Sequence, residues 1–317
     1  MLEANLARPR RANTLILVSA AIAALASSCA TLSPQDGRIV RTSDGRTVSV
    51  AEAADELAQA DVVFLGEEHD NDAAHALQLA LTEALLERRG EVAISMEMFE
   101  RDGQSRLDLY LAGAVDEAFF LAGSRPWGNY AEHYRPAIEL AKAEGLDVIA
   151  ANVYRPIAAS VAKQGVAAAK GDPWAAIDVD AAPAGEYYER FVRVMGQDPS
   201  HAGPRLQQIY AAQAVKDDTM AESIARYLDE RGADAPQVVH WCGKFHSDYG
   251  LGTVERLLAR KPGLSVAVVS TLSGAEARAL DDEERELGAF VFMVPAMPKP
   301  APKPAAKAAA AQPAVKP

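Results

Sequence analysis

Cysteine is nearly absent from the 317 residues, with one at position 29 and one at position 242. If Cys29 is consumed by an export modification, no disulfide can form within the chain, and Cys242, set in an apolar run, reads as a core residue. Basic charge is also short: 32 Lys and Arg face 44 Asp and Glu, for a formal net charge of −12. Such a chain repels phosphate backbones, and no basic aromatic-rich patch offsets this, so a nucleic-acid partner is excluded and a cationic or metal-containing ligand is easier to accept. The apolar run at residues 14–26 is too short to span ~30 Å of hydrocarbon comfortably. Internal repeats are missing too, apart from a Gly-x-x-His that occurs twice.

What is present begins with the two ends. Arg8, Arg10 and Arg11 precede the apolar run, which closes in Ala26-Ser27-Ser28 before Cys29. Residues 1–28 therefore read as a signal peptide, and its end resembles the lipobox at which bacterial lipoproteins are cut and acylated on the cysteine, here Cys29. Leu25 stands four residues before Cys29 rather than three, and Ala24-Leu25-Ala26 also suits an ordinary signal peptidase; release as a soluble periplasmic protein is the alternative. Ala30, where an Asp would signal retention, implies by the same resemblance an outer-membrane lipid anchor facing the periplasm. Residues 295–317 hold seven Pro, four Lys and no aromatic residue. They cannot bury enough surface to offset their ordering entropy and are expected to be a disordered tail. Without the three Arg and one Glu of residues 1–28 the formal charge becomes −14, and without the four tail lysines −18.

Between the ends, residues 36–294 read as an α/β domain. Apolar segments at residues 62–65, 92–98, 146–151, 237–242 and 264–271 are expected buried strands, the first four each followed by a helical pattern. Leu77, Leu81, Ala84 and Leu85 share one face of residues 73–89, and Val254, Leu257 and Leu258 form a second stripe. This alternation predicts a mainly parallel sheet flanked by helices. Residues 290–294 could add a late edge strand, and residues 187–195 and 204–230 give helices in an insertion at about 155–232. On the long helix, Gln213 and Asp217 interrupt the stripe of Ile209, Met220 and Ile224; buried polar groups need partners, either nearby backbone or site residues.

Gly66-Glu67-Glu68-His69 follows the first strand, Glu97 ends the second, Asn152 ends the third and Gly243-Lys244-Phe245-His246 follows the fourth. In a parallel sheet the C-terminal strand ends share one edge, where a crevice binds ligands, so these residues are expected to converge. The glycines are expected to allow sharp turns there. Two imidazoles with Glu67 or Glu97 suit a divalent metal held by His69, Glu97 and His246, or a base with its orienting carboxylate.

These blocks carry a resemblance. Residues 63–69 (VFLGEEH), 95–99 (SMEMF), Trp127 with Tyr134-Arg135-Pro136, 150–152 (AAN), Ala212-Gln213 with Asp217 and Met220-Ala221, and 243–246 (GKFH) resemble the superfamily that joins ChaN-like haem-binding lipoproteins, erythromycin esterases and the Tiki and TraB proteins. The similarity runs from about residue 61 to 271 and is to the ChaN-like branch. Tyr154 and the bulky Phe245 depart from the pattern and leave pocket shape open. The resemblance implies an EreA/ChaN-like fold and a protein that binds haem, and so iron, in a homodimer for iron acquisition, with an outer-membrane haem or iron receptor as partner. It also implies a tyrosine as iron ligand. Tyr130 and Tyr134, in a segment expected to cover the crevice, are the candidates, ahead of Tyr154, Tyr210 and Tyr249; His69 and His246 lie nearby. Arg135 and Arg155 are candidates for the haem propionates. The alternative is a metal-dependent hydrolase using Glu67, His69, Glu97 and His246.

Overall fold

The central strands of this sheet are buried along their whole length, and that sets the architecture. In the computed structural model, which describes residues 37–275 and 277–297, the chain runs β1 (Arg38–Arg41), β2 (Thr47–Val48), α1 (Val50–Leu57), β3 (Val62–Glu67), α2 (Asp72–Arg89), β4 (Val92–Glu100), α3 (Gln104–Leu111) and α4 (Glu117–Ser124). A π-helical turn, Tyr130–Tyr134, then leads into α5 (Arg135–Glu144), β5 (Val148–Asn152), α6 (Arg155–Gln164), α7 (Gly185–Val194) and α8 (Pro204–Arg231). The last elements are β6 (Gln237–Gly243), α9 (Thr253–Arg260), β7 (Val266–Ser273), α10 (Asp282–Arg285) and β8 (Phe290–Val294). The expected signal peptide, Cys29 and the tail beyond residue 297 lie outside the described residues.

The fold is α/β, with one eight-stranded sheet in the order β2-β1-β8-β7-β3-β6-β4-β5. All neighbours from β8 to β5 are parallel, while β1 pairs antiparallel with β8 and with β2. One expectation is corrected here. Phe290–Val294 is an interior strand, with β7 on one side and β1 on the other, and the edge is a β1–β2 hairpin too short to show as an apolar run. The helices α6, α7 and α8 fill the interval between β5 and β6. Among the described residues no helix is long and apolar enough to cross a membrane.

Successive side chains of a strand point to opposite faces, and β3 buries both. Val63 and Leu65 join Leu77, Leu81 and Leu85 of α2 on one face. Val62 and Phe64 join Met220 and Ile224 of α8 and Val254 and Leu257 of α9 on the other. Local signals agree with this packing: Asn71 caps α2 by accepting from the Ala74 amide at 3.1 Å, and Gly90 ends it in the left-handed conformation at φ 74°. The neighbouring strands β3 and β6 therefore feed helices on opposite faces, α2 and α9. That divergence opens a crevice at their C-terminal ends, the position where ligands bind in open α/β sheets.

Candidate functional site

Both Gly-x-x-His turns flank this crevice. β3 and β6 pair with Gly66 opposite Cys242 and Glu67 opposite Gly243. The glycines serve close approach here rather than the expected sharp turn, since neither has positive φ. A Cβ on Gly66 would lie 2.9 Å from the Lys244 Cα, and one on Gly243 would lie 2.6 Å from Cε1 of His69. Each turn thus needs the glycine of the other. Glu97 lies within β4 rather than at its end, at a register shift between Met96 and Glu100 that re-aims the strand beside β5.

On the β6 side, His246 is buried with both ring nitrogens engaged. Nδ1 donates to Asp217 Oδ1 at 2.6 Å and Nε2 faces Glu97 Oε1 at 3.2 Å. Burial works against the charged ring, but Glu97 and Asp217 outweigh it and push the imidazole up to about 10, so His246 is an imidazolium at neutral pH. Burial likewise opposes the Glu97 carboxylate, yet His246, Lys216 and His69 hold it well below the usual range. Its Oε2 accepts from the Gly243 amide at 2.8 Å. Asp217 is satisfied by side chains: Tyr187 donates to Oδ2 at 2.7 Å and Thr253 to Oδ1 at 2.9 Å. The polar interruption on the long helix therefore serves the site rather than local backbone, and the Gln213 amide sits 3.2 Å from His246 Nδ1.

On the β3 side, His69 is held differently. Its Nδ1 lies 3.0 Å from Glu67 Oε1, which also accepts from the Tyr134 hydroxyl at 2.7 Å. Its carbonyl accepts from Asn129 and, at 3.1 Å, from His75 Nε2. The ring packs edge-on to Trp127 at 4.8 Å, and its side chain remains 46% exposed. No hydrogen bond reaches Nε2 among the described residues. Burial lowers the basicity of this ring, but Glu67 and Glu97 reverse the sign and raise it. Behind it, Glu67 Oε2 and His75 Nδ1 are buried without hydrogen bonds, 3.6 Å apart.

The tyrosines expected over the crevice turn inward. Tyr134 is fully buried and Tyr130 nearly so, with the Tyr130 hydroxyl 3.3 Å from Glu117. Burial first, then Glu117 for Tyr130 and Glu67 for Tyr134, push both phenols well above their ordinary value. Trp127 and Asn129 occupy the crevice side instead. Arg135 is committed to Glu117 through a two-pronged contact at 2.6 and 3.1 Å. Arg155 is 63% exposed and only 3.4 Å from Glu100 Oε1.

Next to Glu97 lies a cavity of about 440 Å³ whose lining includes Trp127, Val153, Ala158, Arg155 and Lys216. Lys216 was not singled out by sequence, although it stands between Gln213 and Asp217 on α8, where the polar break was the signal. His75 was missed because a histidine on a helix reads as solvent-facing. The metal expectation meets a constraint: among the described residues no group of three or more His, Cys, Asp or Glu is disposed to hold an ion. Of the four ring nitrogens of His69 and His246, three already face carboxylates.

A family model described as haem-binding uptake, Tiki superfamily, ChaN matches residues 53–257. The chain is similar in structure to a solved protein titled cofacial heme binding to ChaN of Campylobacter jejuni, with 18% identity, a TM-score of 0.62, and 80% of this chain and 95% of that one covered. It is more distantly similar to a mutant of the erythromycin esterase EreC in its open conformation, at 15% identity and a TM-score of 0.44 over 74% of this chain and 76% of that one. No curated protein matches.

Proposed function

The chain belongs to the ChaN family of haem-binding uptake proteins in the Tiki superfamily, and on that premise we propose that it binds haem in the Trp127-walled cavity at the C-terminal edge of its sheet. The observation that carries this placement is the cavity itself, whose wall joins Trp127, Val153 and Ala158 to two cations, Arg155 and Lys216, and two carboxylates, Glu97 and Glu100. A porphyrin has the same division, an apolar macrocycle with two carboxylates. Haem, when bound, would supply an iron centre that a side chain at this edge could help to hold.

Of the candidate donors, His69, which packs against Trp127 beside the cavity rather than in its wall, is the one with an open ring nitrogen. Glu67 takes its Nδ1 and orients the ring, leaving Nε2 open, the arrangement usual for metal-bound histidine. Tyr130 and Tyr134 would first have to leave Glu117 and Glu67 and lose a tightly held proton. His246, protonated and enclosed, positions Glu97 and the β6 turn. We extend the reading, on the family resemblance and the N-terminal sequence, to a lipid-anchored outer-membrane homodimer that passes haem or iron to a receptor.

The Glu67–His69 pair also favours a second reading, a hydrolase with His69 as its base. A metal-dependent version ranks lower because one open ring nitrogen is a poor start for a metal site. Titration of the purified protein with haemin, followed by absorbance with bound metals assayed beforehand, separates the readings. A saturable, stoichiometric Soret shift is expected. No shift, together with a tightly held divalent metal, would transfer the case to the hydrolase.

A further inference from the structure

The loop that carries Trp127 is held at its two ends and loose between them. At one end Arg125 takes left-handed backbone, at φ 49° and ψ 52°. That conformation is uncommon for a residue with a Cβ, and Pro126 disfavours it further by steering its predecessor toward extended backbone. Side-chain contacts hold it there: the guanidinium donates to Glu100 Oε2 at 2.9 and 3.1 Å, pairs with Asp102 and lies 4.9 Å from the centre of the Tyr154 ring. At the other end the Asn129 amide donates to the His69 carbonyl, to His133 Nδ1 at 3.1 Å and to Asp70 Oδ1 at 3.3 Å. In between, residues 125–128 make a single backbone–backbone hydrogen bond among the described residues, the Trp127 carbonyl accepting from the Tyr130 amide at 3.0 Å. Gly128 is exposed and has no positive φ, and a Cβ on it would meet nothing within 4 Å. A segment with few backbone hydrogen bonds and a strained anchor opens locally at low cost.

What the loop stands between gives that opening a use. Pro126, Trp127 and Gly128 line the cavity beside Glu97, whereas His69 does not. The Trp127 indole that forms this wall also packs edge-on against the His69 ring, with centroids 4.8 Å apart. We propose that residues 125–129 form a strap latched by Arg125, and that Trp127 moves on it as a gate between the cavity and His69. Latched, the indole screens the imidazole from a ligand in the cavity; released, it lets one ligand touch both. The inference rests on the haem reading and deepens it, by making access to His69 a step separate from entry to the cavity. Arg125 is a positioning residue in this account, since it acts on His69 only through Trp127.

Two measurements on the full chain test the strap. Without haemin, in a Trp174→Phe background, acrylamide quenching of fluorescence reads Trp127, because the other remaining tryptophan, Trp241, is fully buried. Arg125→Gln should raise that quenching by releasing the latch, and Gly128→Ala, whose methyl group fits the latched strap and narrows its freedom, should lower it. With haemin in stopped flow, absorbance should change in two phases, the first scaling with haemin concentration and the second independent of it. Arg125→Gln should speed the second phase about tenfold, the scale of one lost charge-assisted contact. Gly128→Ala should slow it by about two- to fivefold, and it carries the test alone if Arg125→Gln does not fold. Iron-free protoporphyrin IX should show the first phase only. A single concentration-dependent phase in the natural protein, or quenching and second-phase rate unchanged in the variants, overturns the strap while haemin binding keeps the haem reading standing. If the natural protein does not bind haemin, the haem reading falls and the quenching result alone decides the strap.

Discussion

The two Gly-x-x-His turns begin alike on adjacent strands and end in opposite states. His69 is half-exposed, with one nitrogen on Glu67 and the other open. His246 is enclosed, with Glu97 on one nitrogen and Asp217 on the other. The motif explains only the direction of each side chain, over the strand ends. What stands behind it decides the rest: His246 meets α8, which presents Asp217, whereas His69 meets the Trp127 loop, which leaves a face uncovered. A repeated motif therefore divides into one position built to meet a ligand and one built to hold charge inside the fold.

The comparison is broken hardest by removing each ring. His246→Ala leaves Glu97 and Asp217 buried without their shared cation, and urea unfolding should show a loss of about 3–5 kcal/mol. His69→Ala removes a half-exposed ring whose ion pair is screened, and should cost less than about 1 kcal/mol. Equal losses would erase the distinction.

The pH dependence sharpens it. His246 has a folded pKa raised to about 10 from an ordinary 6.5, so its contribution is complete below pH 6.5 and declines as pH rises toward 10. Glu97, held low, contributes above its ordinary 4.5 and fails as pH falls through its depressed value. Unfolding midpoints should therefore fall between pH 6.5 and 10, and His246→Gln should flatten most of that limb while His69→Gln, whose raised but half-exposed ring is screened, removes a smaller part.

The glycines give a smaller effect. Gly66→Ala drives a methyl group toward the Lys244 backbone and should cost about 1–3 kcal/mol in a thermal or urea melt. Gly243→Ala meets only the His69 ring, which can turn aside, so its stability loss should be smaller and its loss of haemin affinity larger. Tyr134→Phe removes one hydrogen bond to Glu67 and should cost about 1 kcal/mol. An unchanged Soret position in that variant fits ligation by His69; a shifted one returns Tyr134 to the iron.

Much of this was legible before the structure. β3, β4 and β6 show as apolar runs because both their faces are covered, and Glu67, Glu97, His69 and His246 stand out as polar residues in or just after those runs, toward their C-terminal ends. The pairings were not legible. That His246 reaches Glu97 depends on β6 entering between β3 and β4, an order set by long-range packing. The inward turn of Tyr130 and Tyr134 depends on a π-helical turn, which leaves no periodic mark. The buried run Asn71, His75, Gln78 and Thr82 on α2 reads as a solvent face until Gln78 is seen donating to the Leu65 carbonyl at 2.9 Å and Thr82 accepting from Trp241 at 3.2 Å.

The most direct test of the central claim is a haemin titration of His69→Ala beside the natural protein, with the unfolding midpoint of each recorded on the same preparation. The account predicts at least about a tenfold loss of affinity or an altered Soret band with a nearly unchanged midpoint. Unaltered affinity and spectrum in a folded His69→Ala protein would contradict it.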